Sequence, residues 1–159
     1  VEHANGLNNV ILSDNHCRRS ILASEVDGLV VRGNIVTGSI EGNGNRNAII
    51  ANNVVRGTDR ASAVLIQQGF ANGLTITGNT IIPGGTTQFG MHVWGASRYN
   101  PEVGRDVLID GNLLRASPEN KLSVGISLNG VDGGSIVQNR IAADVLTRLQ
   151  RTTNVTQAP

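Results

Sequence analysis

The side chains best suited to chemistry in this 159-residue chain cluster around Gly90-Met91-His92-Val93-Trp94-Gly95. Trp94 is the only tryptophan, and Tyr99, the only tyrosine, follows on a long loop together with Arg98. An aromatic face beside amides and a histidine suits the apolar side and hydroxyl rim of a sugar. His92 is a weak candidate for a general base; the plainer reading is a surface or hydrogen-bonded histidine. Trp94 likewise has a plainer reading, as a cover for loop residues 96 to 104. Hydrolysis of a sugar would need two carboxyl groups at a set separation. Glu41 and Asp110 are the weak candidates, and they lie in repeats well apart. The sequence carries no zinc spacing, phosphate loop or nucleophile elbow, so neither a metal nor a cofactor is expected.

What must position these residues is a repeat. Asp27-Gly28-Leu29-Val30-Val31-Arg32-Gly33-Asn34-Ile35-Val36-Thr37-Gly38 has near-copies from Asn9 to Ala143, each centred on an asparagine: Asn15, Asn34, Asn53, Asn79, Asn112 and Asn139. Subtracting successive positions gives intervals of 19, 19, 26, 33 and 27 residues. A period in this range signals a solenoid, a propeller or an array. Three residues before the asparagine stand Leu12, Val31, Ile50, Ile76, Ile109 and Ile136; two after it stand Cys17, Val36, Val55, Ile81, Leu114 and Ile141. Five before it stand Val10, Leu29, Ala48, Leu74, Val107 and Gly134. Such alternation reads as a short strand, a bend at Gly-Asn and a second short strand. The bend falls to glycine and asparagine because both tolerate left-handed backbone angles. Stacked repeats would bring the six asparagines into a hydrogen-bonded ladder. Removing Asn53 is then expected to cost stability, and removing loop residue Asn120 almost none.

Further short strands precede the copies: Ser20 to Ser24, Ser39 to Gly42, Ala63 to Gly69, Gly90 to Gly95 and Gly125 to Gly130. Each coil therefore holds three strands. In these segments the outward residues are Leu22 and Ser24, Glu41 and Asn43, Leu65 and Gln67, His92 and Trp94, Ser127 and Asn129. At a strand spacing of about 4.8 Å, Gln67, Trp94 and Asn129 form one row, with His92 and Ser127 in the next. The longer intervals place extra residues at 58–62, 84–89, 96–104 and 118–123, where binding loops would grow from a rigid scaffold. Val1 to Gly6 reads as a polar lead-in. Residues 1–143 are taken as the coils and 144–159 as a cap and tail: 144–150 as a helical turn or last strand that closes the open end, 152–159 as a mobile tail. Val1 falls inside or just before a coil, as in an excised piece of a longer chain.

Composition agrees. The chain has 20 glycines and 18 asparagines, whereas aromatics are 3%, so the core must be Val, Ile and Leu. A net charge of +1 gives no field for nucleic acid or an anionic membrane. No apolar run is long enough to span a bilayer, and no signal peptide is visible. Cys17 falls in an inward column and reads as a small buried hydrophobe. Asp27 with Arg46, and Arg105 with Asp132, occupy equivalent turn positions in successive coils and read as surface salt bridges, each well under about 1 kcal/mol. Asn154-Val155-Thr156 is a glycosylation sequon, of consequence only in a secreted eukaryotic chain.

With its Gly-Ile/Leu-x-Val/Ile-x-Gly-Asn-x-Ile pattern and three strands per coil, residues 8 to 143 resemble the right-handed parallel β-helix of pectate lyases, polygalacturonases, alginate epimerases and phage tailspikes. The rival fold is a leucine-rich repeat, matched by Leu29-x-Val31-x-x-Asn34-x-Val36, but two 19-residue intervals and strand-like alternation elsewhere disfavour it. The resemblance implies a polysaccharide partner, an extracellular, cell-surface or virion-surface location, and a lyase or hydrolase if the chain is an enzyme. It specifies the fold better than the activity. The polygalacturonase acid cluster and the Asp-Pro-His motif of epimerases are missing; Asn100-Pro101-Glu102 does not match. Arg98 and Arg105 could assist His92 in a lyase, yet no acidic group for a hard cation gathers there. Two functions follow: a glycan-facing β-helix with Trp94, His92, Gln67, Asn129, Tyr99 and Arg98 as ligand-binding residues, or a non-catalytic structural or adhesive stalk, with homo-oligomerisation along a face.

Overall fold

Short alternating segments can bury their Val, Ile and Leu columns by pairing each strand with its copy in the next repeat. The computed structural model describes residues 2–57, 62–67, 72–95, 103–116 and 120–159 and shows this arrangement. The first coil holds β1 (Glu2–Asn5), β2 (Ile11–Ser13) and β3 (His16–Cys17), and the second β4 (Ile21–Ser24), β5 (Val30–Arg32) and β6 (Ile35–Thr37). The third holds β7 (Ile40–Asn43), β8 (Ile49–Ala51) and β9 (Val54–Arg56), and the fourth β10 (Ser62–Gln67), β11 (Thr75–Thr77) and β12 (Thr80–Ile82). The fifth holds β13 (Phe89–Trp94), β14 (Gly104–Asp110) and β15 (Leu113–Leu114), and the sixth β16 (Leu122–Asn129), β17 (Val131–Val137) and β18 (Arg140–Ile141). β19 (Ala143–Gln150) and β20 (Thr153–Gln157) begin a seventh.

The first strands of the coils form sheet I, the second strands sheet II and the third strands sheet III. Every pairing is parallel. The molecule is an all-β parallel solenoid, and the leucine-rich-repeat alternative falls because no helix occurs among the described residues. Among the described residues no helix is long and apolar enough to cross a membrane. Two expectations are corrected at the ends. Glu2–Asn5, read as a lead-in, pairs with β4. Residues 152 to 159, read as a tail, continue the stack through β20, whose Val155 lies opposite Gly134. Segment 144–150 takes the strand option.

The inward columns are the predicted ones. Val31, Ile50, Ile76 and Ile109 stack in sheet II, Val36, Val55, Ile81 and Leu114 in sheet III, and Ile21, Ile40, Val64, Met91 and Ile126 in sheet I, all buried. Each such side chain contributes roughly 1.5–3 kcal/mol on leaving water. Cys17 packs partly buried against this core, opposite Val36.

The ladder runs the length of the stack. The backbone N–H and Nδ2 of Asn34 both donate to Asn53 Oδ1, at 2.9 and 3.0 Å. Asn53 repeats this toward Asn79, Asn79 toward Asn112 and Asn112 toward Asn139; Asn15 joins through Asn34 Oδ1. Spare Nδ2 capacity reaches carbonyls such as Leu12 and Arg32. Asn34, Asn53, Asn79 and Asn112 are buried, so this bonding offsets what their amides lose on leaving water. The expectation for Asn120 is corrected: its Nδ2 donates to the carbonyls of Gly85 and Thr87, tying together two loops.

Candidate functional site

The outer face of sheet I is built by alternation. Because Met91 and Val93 point into the core, His92 and Trp94 point out, and both are half-buried. Parallel register then sets their neighbours. His92 lies opposite Leu65 on one side and Ser127 on the other; Leu65 lies opposite Glu41 and Ser127 opposite Arg148. Trp94 lies opposite Asn129, which lies opposite Gln150. Gln67 closes β10 opposite Asn43, at the register position expected of it. The outer face thus carries one row running Leu22, Glu41, Leu65, His92, Ser127, Arg148 and a second of amides and hydroxyls interrupted by Trp94.

Three rings meet on β13. Phe89 stacks on His92 with centroids 4.7 Å apart and 24° between planes, and the Trp94 ring meets His92 edge-on at 5.0 Å and 64°. Burial against these rings lowers the His92 pKa, and the Arg148 guanidinium lowers it further. Near neutral pH the imidazole is therefore uncharged, able to accept a proton. Asn129 Oδ1, on the strand beside Trp94, is buried and finds no hydrogen-bond partner among the described residues.

Two coils from β13, a cleft of about 340 Å³ opens between Leu22, Ser24, Glu41, Asn43 and Leu65. Glu41 Oε1 accepts a 2.5 Å hydrogen bond from Ser39 Oγ, which is itself 2.7 Å from Ser20 Oγ. Glu41 and His92 are separated by Leu65 and two strand spacings, roughly 10 Å. Asp110 ends β14 in sheet II, on another face. Glu41, His92 and Asp110 are thus not brought together, and no group of three His, Cys, Asp or Glu residues could hold a metal ion among the described residues. Arg98 and Tyr99 lie outside the described residues.

Sequence reasoning missed Phe89, Arg148 and Gln150. Phe89 was counted with the loop before the strand, and strict alternation would send it inward with Met91. Arg148 and Gln150 were assigned to a cap. Their signal was the outward phase of the Ala143–Gln150 strand, legible once that segment is aligned as another rung.

In both turn pairs the acid is held by hydrogen bonds. Asp27 and Arg46 lie in register, and Asp27 Oδ1 accepts the Asn47 amide at 2.8 Å. Asp132 lies opposite Arg105 and accepts from Thr153 Oγ1 at 2.6 Å and Asn154 Nδ2 at 2.8 Å. The hydrogen bonds from Thr153 and Asn154 hold its carboxyl below the usual range, with Arg105 contributing. Asn154, the acceptor of the sequon, is thus engaged with Asp132.

No protein-family model matches the chain, nor does any curated protein or solved structure.

Proposed function

We propose that this protein is a polysaccharide-recognising β-helix of the pectate-lyase-like kind, part of a glycan-degrading enzyme or tailspike working outside the cell or on a virion surface. The observation that carries the reading is the Phe89–His92–Trp94 ring group on the outer face of sheet I. Rings flanked by amides offer a sugar both a stacking surface and hydrogen-bond partners. The amide of Asn129, opposite Trp94 in the strand register, is a further hydrogen-bonding group on this face. Gln67, Tyr99 and Arg98 are proposed as further ligand contacts. His92, neutral near pH 7, is the group from which a base would be drawn if the chain is a lyase or hydrolase.

The separation of Glu41, His92 and Asp110 favours a second reading, a non-catalytic structural or adhesive stalk. One variant separates the two. Trp94→Ala is expected to weaken binding to acidic or neutral polysaccharides by roughly 30-fold, the equivalent of about 2 kcal/mol for an aromatic anchor. Its melting temperature should change little, because the ring lies outside the core. Affinity electrophoresis against a glycan panel and thermal unfolding on the same sample measure both. Lost stability with unchanged binding would make Trp94 a packing residue and leave the stalk.

A further inference from the structure

Sheet II carries an outward row that the proposed site does not use. Ile11, Val30, Ile49, Thr75 and Leu108 lie opposite one another in successive coils. Ile11 is 60% exposed, Ile49 40% and Leu108 38%, so the row presents aliphatic surface to water. Charged residues border it on both sides. In the second coil Asp27 precedes the strand and Arg32 ends it; in the fifth, Arg105 lies at the start of β14 and Asp110, half-buried with its Oδ1 covered, ends it. The same two borders thus carry opposite charges within each of these coils, and the order is reversed between them.

We infer that sheet II is the contact face for a second copy of this chain, packed side by side about a twofold axis parallel to the solenoid axis. That operation keeps each coil level with its own copy and exchanges the two borders. Asp27 then faces the partner's Arg32, and Arg105 the partner's Asp110. Along the middle, Ile11, Val30, Ile49 and Leu108 each meet their own counterpart at the roughly 10 Å separation of packed sheets. The alternative twofold, with solenoids antiparallel, also matches the charges but sets Ile49 against Thr75 and Ile11 against Ser135, so the apolar row favours the parallel arrangement. The contact is isologous and closes at two copies.

Sedimentation of the full chain at about 100 µM, well above a micromolar dissociation constant, should show a dimer. Ile49→Asp should give a monomer with unchanged circular dichroism and melting temperature. Arg32→Asp should weaken dimerisation at least about tenfold by setting like charges opposite one another. Adding Asp27→Arg should restore it, whereas adding Asp110→Arg should not. A monomeric wild type, an oligomer larger than two, a dimer indifferent to Ile49→Asp, or rescue by Asp110→Arg in place of Asp27→Arg would each overturn the inference.

Discussion

His92 is held uncharged by what surrounds it. The folded chain takes up its proton at a lower pH than the unfolded chain, because burial and Arg148 oppose the positive charge. Its contribution to stability is therefore fully present above the ordinary value of about 6.5 and is lost as pH falls through the lowered folded value. His92→Phe keeps an aromatic ring against Phe89 and Trp94 but cannot titrate. Urea midpoints for the two proteins at about pH 8, 7, 6 and 5 test this on the linkage relation. The wild type should lose more stability between pH 7 and 5 than the variant does; parallel pH profiles would assign the loss to other groups.

At the scale of the element, the bend before each ladder asparagine decides how a strand of sheet II hands over to sheet III. The asparagine was expected to share the left-handed conformation; the structure gives it instead to the residue before. Asp14, Gly33, Asn52, Gly78, Gly111 and Gln138 all have φ between 54° and 66°. Five of the six are glycine, asparagine or aspartate, the residues suited to that region. Gln138 is not, and it carries the roughly 1–2 kcal/mol left-handed penalty of an ordinary side chain. Gln138→Gly should remove that penalty while adding about 0.5–1 kcal/mol of unfolded-state freedom, a net gain of about 0.5–1 kcal/mol. Gly111→Ala, where an added Cβ would meet nothing within 4 Å, should lose a similar amount. Equal and opposite shifts in urea midpoint would establish backbone conformation as the cause. The inward columns and the ladder were legible because aliphatics and asparagine recur at fixed spacing and parallel stacking aligns equals. The left-handed Gln138 was not, because its conformation is imposed by the stack and not by its side chain. Asn120 was missed because its partners, the Gly85 and Thr87 carbonyls, are set by loop geometry that has no period, and Phe89 because its ring departs from the strict alternation of β13 to stack on His92.

At the scale of the molecule, each coil contacts only its neighbours, so the solenoid should tolerate loss of a whole repeat but not of a fraction. The interval from Asn34 to Asn53 is 19 residues, and Ile35 and Val54 lie opposite one another in sheet III. Deleting residues 35–53 joins Asn34 to Val54, removes one turn, and keeps the ladder: Asn34 then donates to Asn79 as Asn53 did. Val31 comes to lie over Ile76, and Ile21 over Val64, so every inward column still meets an aliphatic neighbour. The buried bonds of Asn45 and Ser39 are lost, namely the Val26 N–H to Asn45 Oδ1, Asn45 Nδ2 to the Ala23 carbonyl, and the Ser20–Ser39 contact, at a cost of about 1–3 kcal/mol for each buried group left unmet. Deleting residues 35–52 instead leaves one residue too many at the bend. A slip of one exchanges the inward and outward faces of the strand that follows, turning Val54 into the core and Val55 out of it. The 19-residue deletion should therefore give a parallel-β circular dichroism spectrum and cooperative unfolding, and the 18-residue deletion a spectrum with reduced β signal and a broad or absent transition. Two deletions that fold equally well would mean that the bend absorbs an extra residue, and that the ladder does not fix the register of the coils.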